Sequence, residues 1–325
     1  MSSLAEYPAN RSVLCDFGGD QKIEPQTAIV TSGKRRSLFL TITLSADADL
    51  EQCVKSVAGI EDYICQIEGS TNANKTAEIT AGVGFGDSLI CAAGLDKIWT
   101  GLKKFSYKNR TGPLGDFPST GGDIFVHAKC DDRQPLVELS QLILDNLPNG
   151  SVLRTEEVYG WVYRDGRDLS GFIDGIANPS TLEERCEAAV DLVSKGSYAL
   201  TQRWVHDFNI LNSTPDNIKE KWIGRTLANG TKLHPLSPAA HIVRSKSTPA
   251  IYRQSQPWGN VSEKAGLFFI AYAADPKTFD AVLDSMSGNS NAHIADNVMR
   301  FTQSVSGAYW FFPSLEDLRQ LGDDS

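Results

Sequence analysis

The chain has 325 residues, enough for two domains or for two fused halves that share a core. Hydrophobic residues at 41% and charged residues at 22% describe an ordinary globular chain, and no apolar run approaches the roughly 20 residues of a membrane span. A net charge of −9 disfavours a nucleic-acid backbone as partner.

The opening residues Met1-Ser2-Ser3-Leu4-Ala5 carry no basic stretch followed by an apolar one. They read as lacking a secretory leader, which implies a cytoplasmic protein. Residues 1–36 are rich in Ser, Pro, Gly and Asn and are expected to form an irregular lead-in. The cysteines (Cys15, Cys53, Cys65, Cys91, Cys130 and Cys186) include no Cys-x-x-Cys pair. They read as buried or free thiols of a reducing compartment, with no disulfide frame or zinc site.

Leu38, Leu40, Ile42 and Leu44 alternate with Phe39, Thr41 and Thr43, the pattern of a strand. Asp47 or Asp49 then caps a helix with Leu50, Cys53, Val54 and Val57 on one face. Ile79, Ala81, Val83 and Phe85 mark a second strand, and Ile124, Val126, Ala128 and Cys130 a third. A helix follows with Leu136, Leu139, Ile143 and Leu147 inward, then a strand region from Val152 to Arg164. The acidic stretch 180–195 reads as a solvated connector, and residues 198–210 as one long strand. Thr214-Pro215-Asp216 starts a helix. Residues 228–262 show little periodicity, and an irregular stretch of that length is usually functional. A buried strand at 266–271, a helix bearing Phe279, Val282, Leu283 and Met286, and a final strand at 307–313 complete the pattern.

Strand 124–130 with the helix after it echoes strand 267–273 with its helix, at a constant offset of 143 residues. Strands and helices mixed in this way imply an α+β fold of two similar halves, 37–165 and 166–325, each an antiparallel sheet with helices.

Candidate chemistry centres on Gly171-Phe172-Ile173-Asp174-Gly175-Ile176, where one acid stands between two glycines in an apolar run. A buried carboxylate is costly unless something pairs with it or needs it, although Asp-Gly is also a common turn dipeptide. Of the histidines, His127 and His206 lie in alternating strands and read as satisfied core residues. His234 and His241 share the long irregular stretch. His241 follows Ala240, and Arg253 precedes Ser255 and the turn Pro257-Trp258-Gly259.

These three separated motifs resemble, in their order, the dye-decolourising peroxidases of the compact cytoplasmic type. Asp296-Asn297-Val298-Met299-Arg300-Phe301 and Arg36-Ser37-Leu38-Phe39-Leu40 extend the likeness over nearly the whole chain. The resemblance implies two ferredoxin-like halves, with a haem b in the second. It implies a haem peroxidase that reduces H2O2 through a ferryl compound I and oxidises dyes, phenols or other organic donors. It further implies His241 as axial iron ligand, Asp174 and Arg253 as distal catalytic residues, Ser255 as a distal polar residue, and Asp296 as the acid behind His241. Gly171, Ile173, Gly175, Ile176, Phe268 and Phe269 become candidate haem-pocket residues. Members of the family often form homo-oligomers. The end of the chain, Leu318-Arg319-Gln320-Leu321-Gly322-Asp323-Asp324-Ser325, does not resemble the tail with which some members dock into encapsulin shells.

The roles are chemically coherent. A carboxylate can move a proton between the two peroxide oxygens. A permanently charged guanidinium stabilises developing negative charge. An acid behind the imidazole raises its basicity towards iron. Two other readings use the same residues: an enzyme that releases iron from haem or oxidises porphyrinogens, and a non-catalytic α+β binding module with Asp174 in a plain turn.

Overall fold

A computed structural model describes residues 12–19, 21–70, 78–290 and 293–323. The first eleven residues, on which the absence of a leader was read, and Asp324-Ser325 lie outside the described residues.

The strands in chain order are β1 (Cys15–Asp16), β2 (Lys22–Ile23), β3 (Arg36–Leu44), β4 (Thr80–Phe85), β5 (Arg110–Gly112), β6 (Gly115–Phe117), β7 (Ile124–Cys130) and β8 (Val152–Trp161). They continue with β9 (Ser197–His206), β10 (Tyr252–Arg253), β11 (Gln256–Gly259), β12 (Ala265–Ala273), β13 (Thr302–Ser304) and β14 (Ala308–Phe312). Among the described residues, ten of them form one antiparallel sheet in the order β10-β12-β11-β8-β3-β7-β4-β14-β9-β13. A further pairing of β12 with β9 closes it into a barrel.

Each half was expected to hold an antiparallel sheet of its own; the strands of both parts join edge to edge in one sheet. The seams are narrow. Phe311 opposite Phe85 closes one side, and Trp258 opposite Gly160 the other. Sharing edges pairs backbone groups that two separate sheets would leave open.

Period-two alternation gives the barrel two faces. Leu38, Leu40 and Ile42 of β3 face outward into a cluster with Val54, Val57, Leu136 and Leu139 of the covering helices. Phe39 faces inward and joins Phe125, Phe268, Tyr272, Trp310 and Phe312, which fill the interior. Phe39 stacks on Phe268 with centroids 4.1 Å apart. His127 is fully buried there and its Nδ1 pairs with the Tyr272 hydroxyl at 2.8 Å. The 143-residue echo corresponds to β7 and β12, followed by helices Gln134–Asn146 and Lys277–Ser287.

Local differences from the expected elements have local causes. The lead-in is not irregular throughout: β1 pairs with β2, and Thr27–Val30 is a buried helical turn. The strand expected over 198–210 stops at His206, because the Asp207 carboxylate accepts from the Asn209 and Ile210 amides and starts helix Phe208–Ser213. The stretch 180–195 is no mere connector. It contains helix Leu182–Ala189, closed at its start by the Thr181–Glu184 capping box and buried along Cys186, Ala188 and Ala189. Cys186 is disulfide-bonded to Cys15, with Cα atoms 5.6 Å apart. That corrects the all-thiol reading. The partners are 171 residues apart, so no local spacing marks them.

Candidate active site

His241 opens the short helix His241–Arg244. Its Nδ1 lies 2.8 Å from Oδ2 of Asp296. Asp296 is wholly buried, and its other oxygen accepts from the Val298 amide at 2.9 Å. A buried carboxylate beside the ring assigns the imidazole proton to Nδ1 and leaves the Nε2 lone pair available. His241 lines a cavity of about 430 Å³.

The loop around Asp174 lines the same cavity. Gly171 and Gly175 adopt φ of +93° and +77°, which side chains rarely tolerate, so the two glycines set the bends on either side of the acid. Arg167 staples the loop: its guanidinium donates to the carbonyls of Gly171 at 2.9 Å and Leu227 at 2.6 Å. The Asp174 amide donates to Gly166 O at 3.1 Å, and Asp174 Oδ1 accepts from the Gly175 amide at 2.7 Å. Arg253 follows on β10 and is oriented by Asn178, whose Oδ1 accepts from Arg253 N at 3.2 Å and Nε at 3.3 Å, while its Nδ2 donates to Arg253 O at 2.8 Å. Asp174, Gly175 and Arg253 also line an adjoining cavity of about 250 Å³.

The structure thus brings His241, Asp174, Arg253, Ile173, Gly175, Ile176 and Phe269 to one cavity, with Asp296 behind His241. Three expected residues lie elsewhere. Ser255 lines the adjoining cavity. Gly171 shapes the loop without lining the main cavity. Phe268 points into the barrel against Phe39, as alternation along β12 requires once Phe269 faces the cavity.

The sequence reading missed a second acid–imidazole pair in the lining of the same cavity. His206 Nε2 lies 3.0 Å from both oxygens of Asp168, and its Nδ1 is 2.8 Å from the Thr302 hydroxyl. The side chains are only 3% and 13% exposed. Burial pushes the Asp168 carboxyl up, but the His206 charge and hydrogen bonds from His206 and Ser170 outweigh it and hold it at about 2. Asp168 stands six residues before Asp174, a visible signal. Its partner lies 38 residues further on, which is not. Asn178, too, was in view but had no readable role.

The family model described as Dyp-type peroxidase, N-terminal, matches residues 26–162, and that described as Dyp-type peroxidase, C-terminal, matches residues 165–317. The chain belongs to the Dyp-type peroxidase family. A dye-decolorizing peroxidase of Mycobacterium tuberculosis is 27% identical over 306 residues, 87% of this chain and 86% of that protein. The crystal structure of a dye-decolorizing peroxidase from Bacteroides thetaiotaomicron matches with a TM-score of 0.83 at 26% identity, covering 93% of this chain and 99% of that one. A Rhodococcus jostii DypB variant in complex with heme matches with a TM-score of 0.79 at 25% identity, covering 92% and 98%.

A Dyp-type peroxidase is a haem-dependent oxidoreductase that reduces H2O2 with electrons from an organic donor. The residues around the main cavity fit that cofactor. An imidazole with a free Nε2 and a buried carboxylate behind it is a donor set for haem iron. Ile173, Leu267, Phe269, Met286 and Val298 offer apolar walls, and Arg225 and Lys246 offer cations for carboxylates.

Proposed function

We propose that this Dyp-type peroxidase binds haem b between His241 and the Asp174 loop and reduces H2O2 on the Asp174–Arg253 side. The observation that carries the reading is the His241–Asp296 pair facing the same cavity as Asp174 and Arg253. Bound haem would supply the redox chemistry, for which each peroxide reduced needs two electrons from organic donors. His241 holds the iron through Nε2, and Asp296 keeps the ring oriented and basic. Asp174 would take a proton from one peroxide oxygen and deliver it to the other, which leaves as water. Arg253, fixed by Asn178, stabilises the negative charge that develops as the O–O bond breaks. Ser255 serves from the adjoining cavity as a polar neighbour of this pair.

Two ferredoxin-like halves, 37–165 and 166–325 after a lead-in to residue 36, belong to the same reading. Each run of four main strands supports it by a common order, β8-β3-β7-β4 and β11-β12-β9-β14, in which the first and third strands lie side by side at the centre. Homo-oligomer formation and a cytoplasmic location go with it, tested by sedimentation and by cell fractionation.

The purified protein is expected to show a Soret band that H2O2 changes. His241→Ala is expected to abolish the histidine-ligated spectrum, while His234→Ala keeps it. The reverse pattern would move the ligand to His234 and overturn the assignment.

A further inference from the structure

Alternation along β7 turns Ile124, Val126, Ala128 and Cys130 outward and Phe125, His127 and Lys129 into the barrel. An amine in that last position stands out. Lys129 is 1% exposed and makes no ion pair among the described residues. A buried amine without an acid is costly unless oxygens take up its N–H groups. Here Nζ lies 3.0 Å from the carbonyls of Ala28 and Thr31, 2.9 Å from Thr31 Oγ1, 3.3 Å from Ser32 O and 2.5 Å from Gln254 Oε1. All five act as acceptors. The Thr31 hydroxyl is one of them, because it donates its own proton to Thr27 O at 2.6 Å. Burial and the charges of Lys34 and Arg185 pull the Lys129 pKa well below its ordinary value. The ring of acceptors works against that pull, since it favours the charged form with three N–H groups.

Gln254, the one partner of Lys129 outside residues 28–32, stands between Arg253 and Ser255. It occupies a break in the sheet. β10 ends at Arg253 and β11 begins at Gln256, so regular pairing with β12 lapses over the two residues between. The Gln254 amide still donates to Ile270 O at 2.9 Å, but the Ile270 amide finds only Ser255 Oγ, at 3.4 Å. The Gln254 side chain makes up the deficit. Its Oε1 accepts from Lys129, and its Nε2 donates to the carbonyls of Ala28 at 2.8 Å and Ile29 at 2.9 Å. One amide thus fastens the break to β7 and to the helical turn Thr27–Val30. Lys129, Arg253, Gln254 and Ser255 all line the adjoining cavity, and of these four only Arg253 also reaches the main one.

We propose that Lys129 is a positioning residue for peroxide reduction, acting through the Gln254 side chain to hold Arg253 and Ser255 in place at the break between β10 and β11. Asn178 fixes Arg253 from one side, and the Lys129–Gln254 pair fixes the chain that carries it from the other. A group misplaced by about 1 Å can lose about 10² in rate. The inference rests on the reading that Arg253 acts on peroxide.

The test uses the haem-loaded protein and four variants. Lys129→Met keeps the length of the side chain and removes its donors. Gln254→Leu removes the acceptor, whereas Gln254→Glu keeps an acceptor for Lys129 and gives up the donors to Ala28 and Ile29. The fourth combines Lys129→Met with Gln254→Leu. Stopped-flow mixing with H2O2 is expected to show a Soret change at least tenfold slower in Lys129→Met and Gln254→Leu. Gln254→Glu is expected to stay within twofold of the wild type. The double variant should be no slower than Gln254→Leu, since two residues acting through one contact do not add. In steady state kcat/KM for H2O2 falls with kcat unchanged, and the resting spectrum keeps its histidine-ligated form. Amide exchange over residues 252–256 is expected to quicken in Lys129→Met, with residues 265–273 as in the wild type. A wild-type peroxide rate in Lys129→Met, or losses that multiply in the double variant, would overturn the proposal. Should Lys129→Met not fold, the Gln254 pair decides: a Glu variant as slow as the Leu variant would show that Lys129 is not the group acted through. A wild-type rate in Arg253→Leu would instead overturn the distal assignment on which the inference rests.

Discussion

Arg253 and Asp174 share a wall but cannot exchange roles. The guanidinium stays charged and cannot act as a base, whereas the carboxylate moves protons but brings no positive charge. Losing a general base typically costs about 10²–10⁴ in rate and losing an electrostatic stabiliser about 10²–10³. Water can replace a proton carrier more readily than a fixed cation. Stopped-flow mixing with H2O2 is therefore expected to show a slower Soret change in Arg253→Leu than in Asp174→Asn, with haem retained in both. Wild-type rates in both variants would return the Asp174 loop to a plain turn. Asp168 gives a prediction in pH. Its folded value, about 2, lies below the ordinary 3.8, so its stabilisation is full above about 3.8 and fades as pH falls towards 2. A displacement of that size is on the order of 2 kcal/mol. Thermal unfolding of wild type and Asp168→Asn should differ most near pH 5 and converge as pH drops to about 2. A difference that does not change over that range would show that the carboxylate's charge contributes nothing.

Helix Leu182–Ala189 ties three parts of the molecule together. Arg185 donates to the carbonyls of Pro179 and Ser180, just after the Asp174 loop, and its guanidinium lies over Tyr252, the neighbour of Arg253. Cys186 fastens the same helix to β1. A cross-link over 171 residues constrains the unfolded chain strongly, and bonds of this kind contribute about 2–4 kcal/mol. The double variant Cys15→Ala, Cys186→Ala should unfold at correspondingly lower denaturant. Thiol titration of the denatured wild type should find two fewer thiols without reductant than with it. Equal counts would show that the bond does not form. Much of this element level was legible from the chain alone. Alternation located β3, β4 and β7, continuous apolar runs located β12 and β14, and Phe279, Val282, Leu283 and Met286 marked their helix by their helical spacing. The helix at 182–189 was lost because its exposed face is densely charged and its buried face is mostly small. The Asp207 cap was overlooked because the apolar alternation ran on beyond it.

At the scale of the whole molecule, the residues of the candidate site were readable from short motifs, since glycines flanking an acid and a histidine after alanine are local patterns. What was not readable lies in pairings across long separations: Cys15 with Cys186, Asp168 with His206, and the two seams of the barrel. The seams also bear on independence. Residues 37–165 expressed alone would expose the free edges of β4 and β8, and they are expected to aggregate or to remain incompletely protected in hydrogen exchange. A monomeric, fully protected fragment would show that barrel closure is dispensable. The same closure sets a schedule for a growing polypeptide. The partner that seals β4 is β14, at residues 308–312, so the edge laid down by residue 85 stays open until nearly all of the protein has been made. At about 5–20 residues per second that wait is on the order of tens of seconds. Throughout it the nascent chain carries an unpaired, apolar strand edge, and chaperones that cover such edges have a defined interval in which to act.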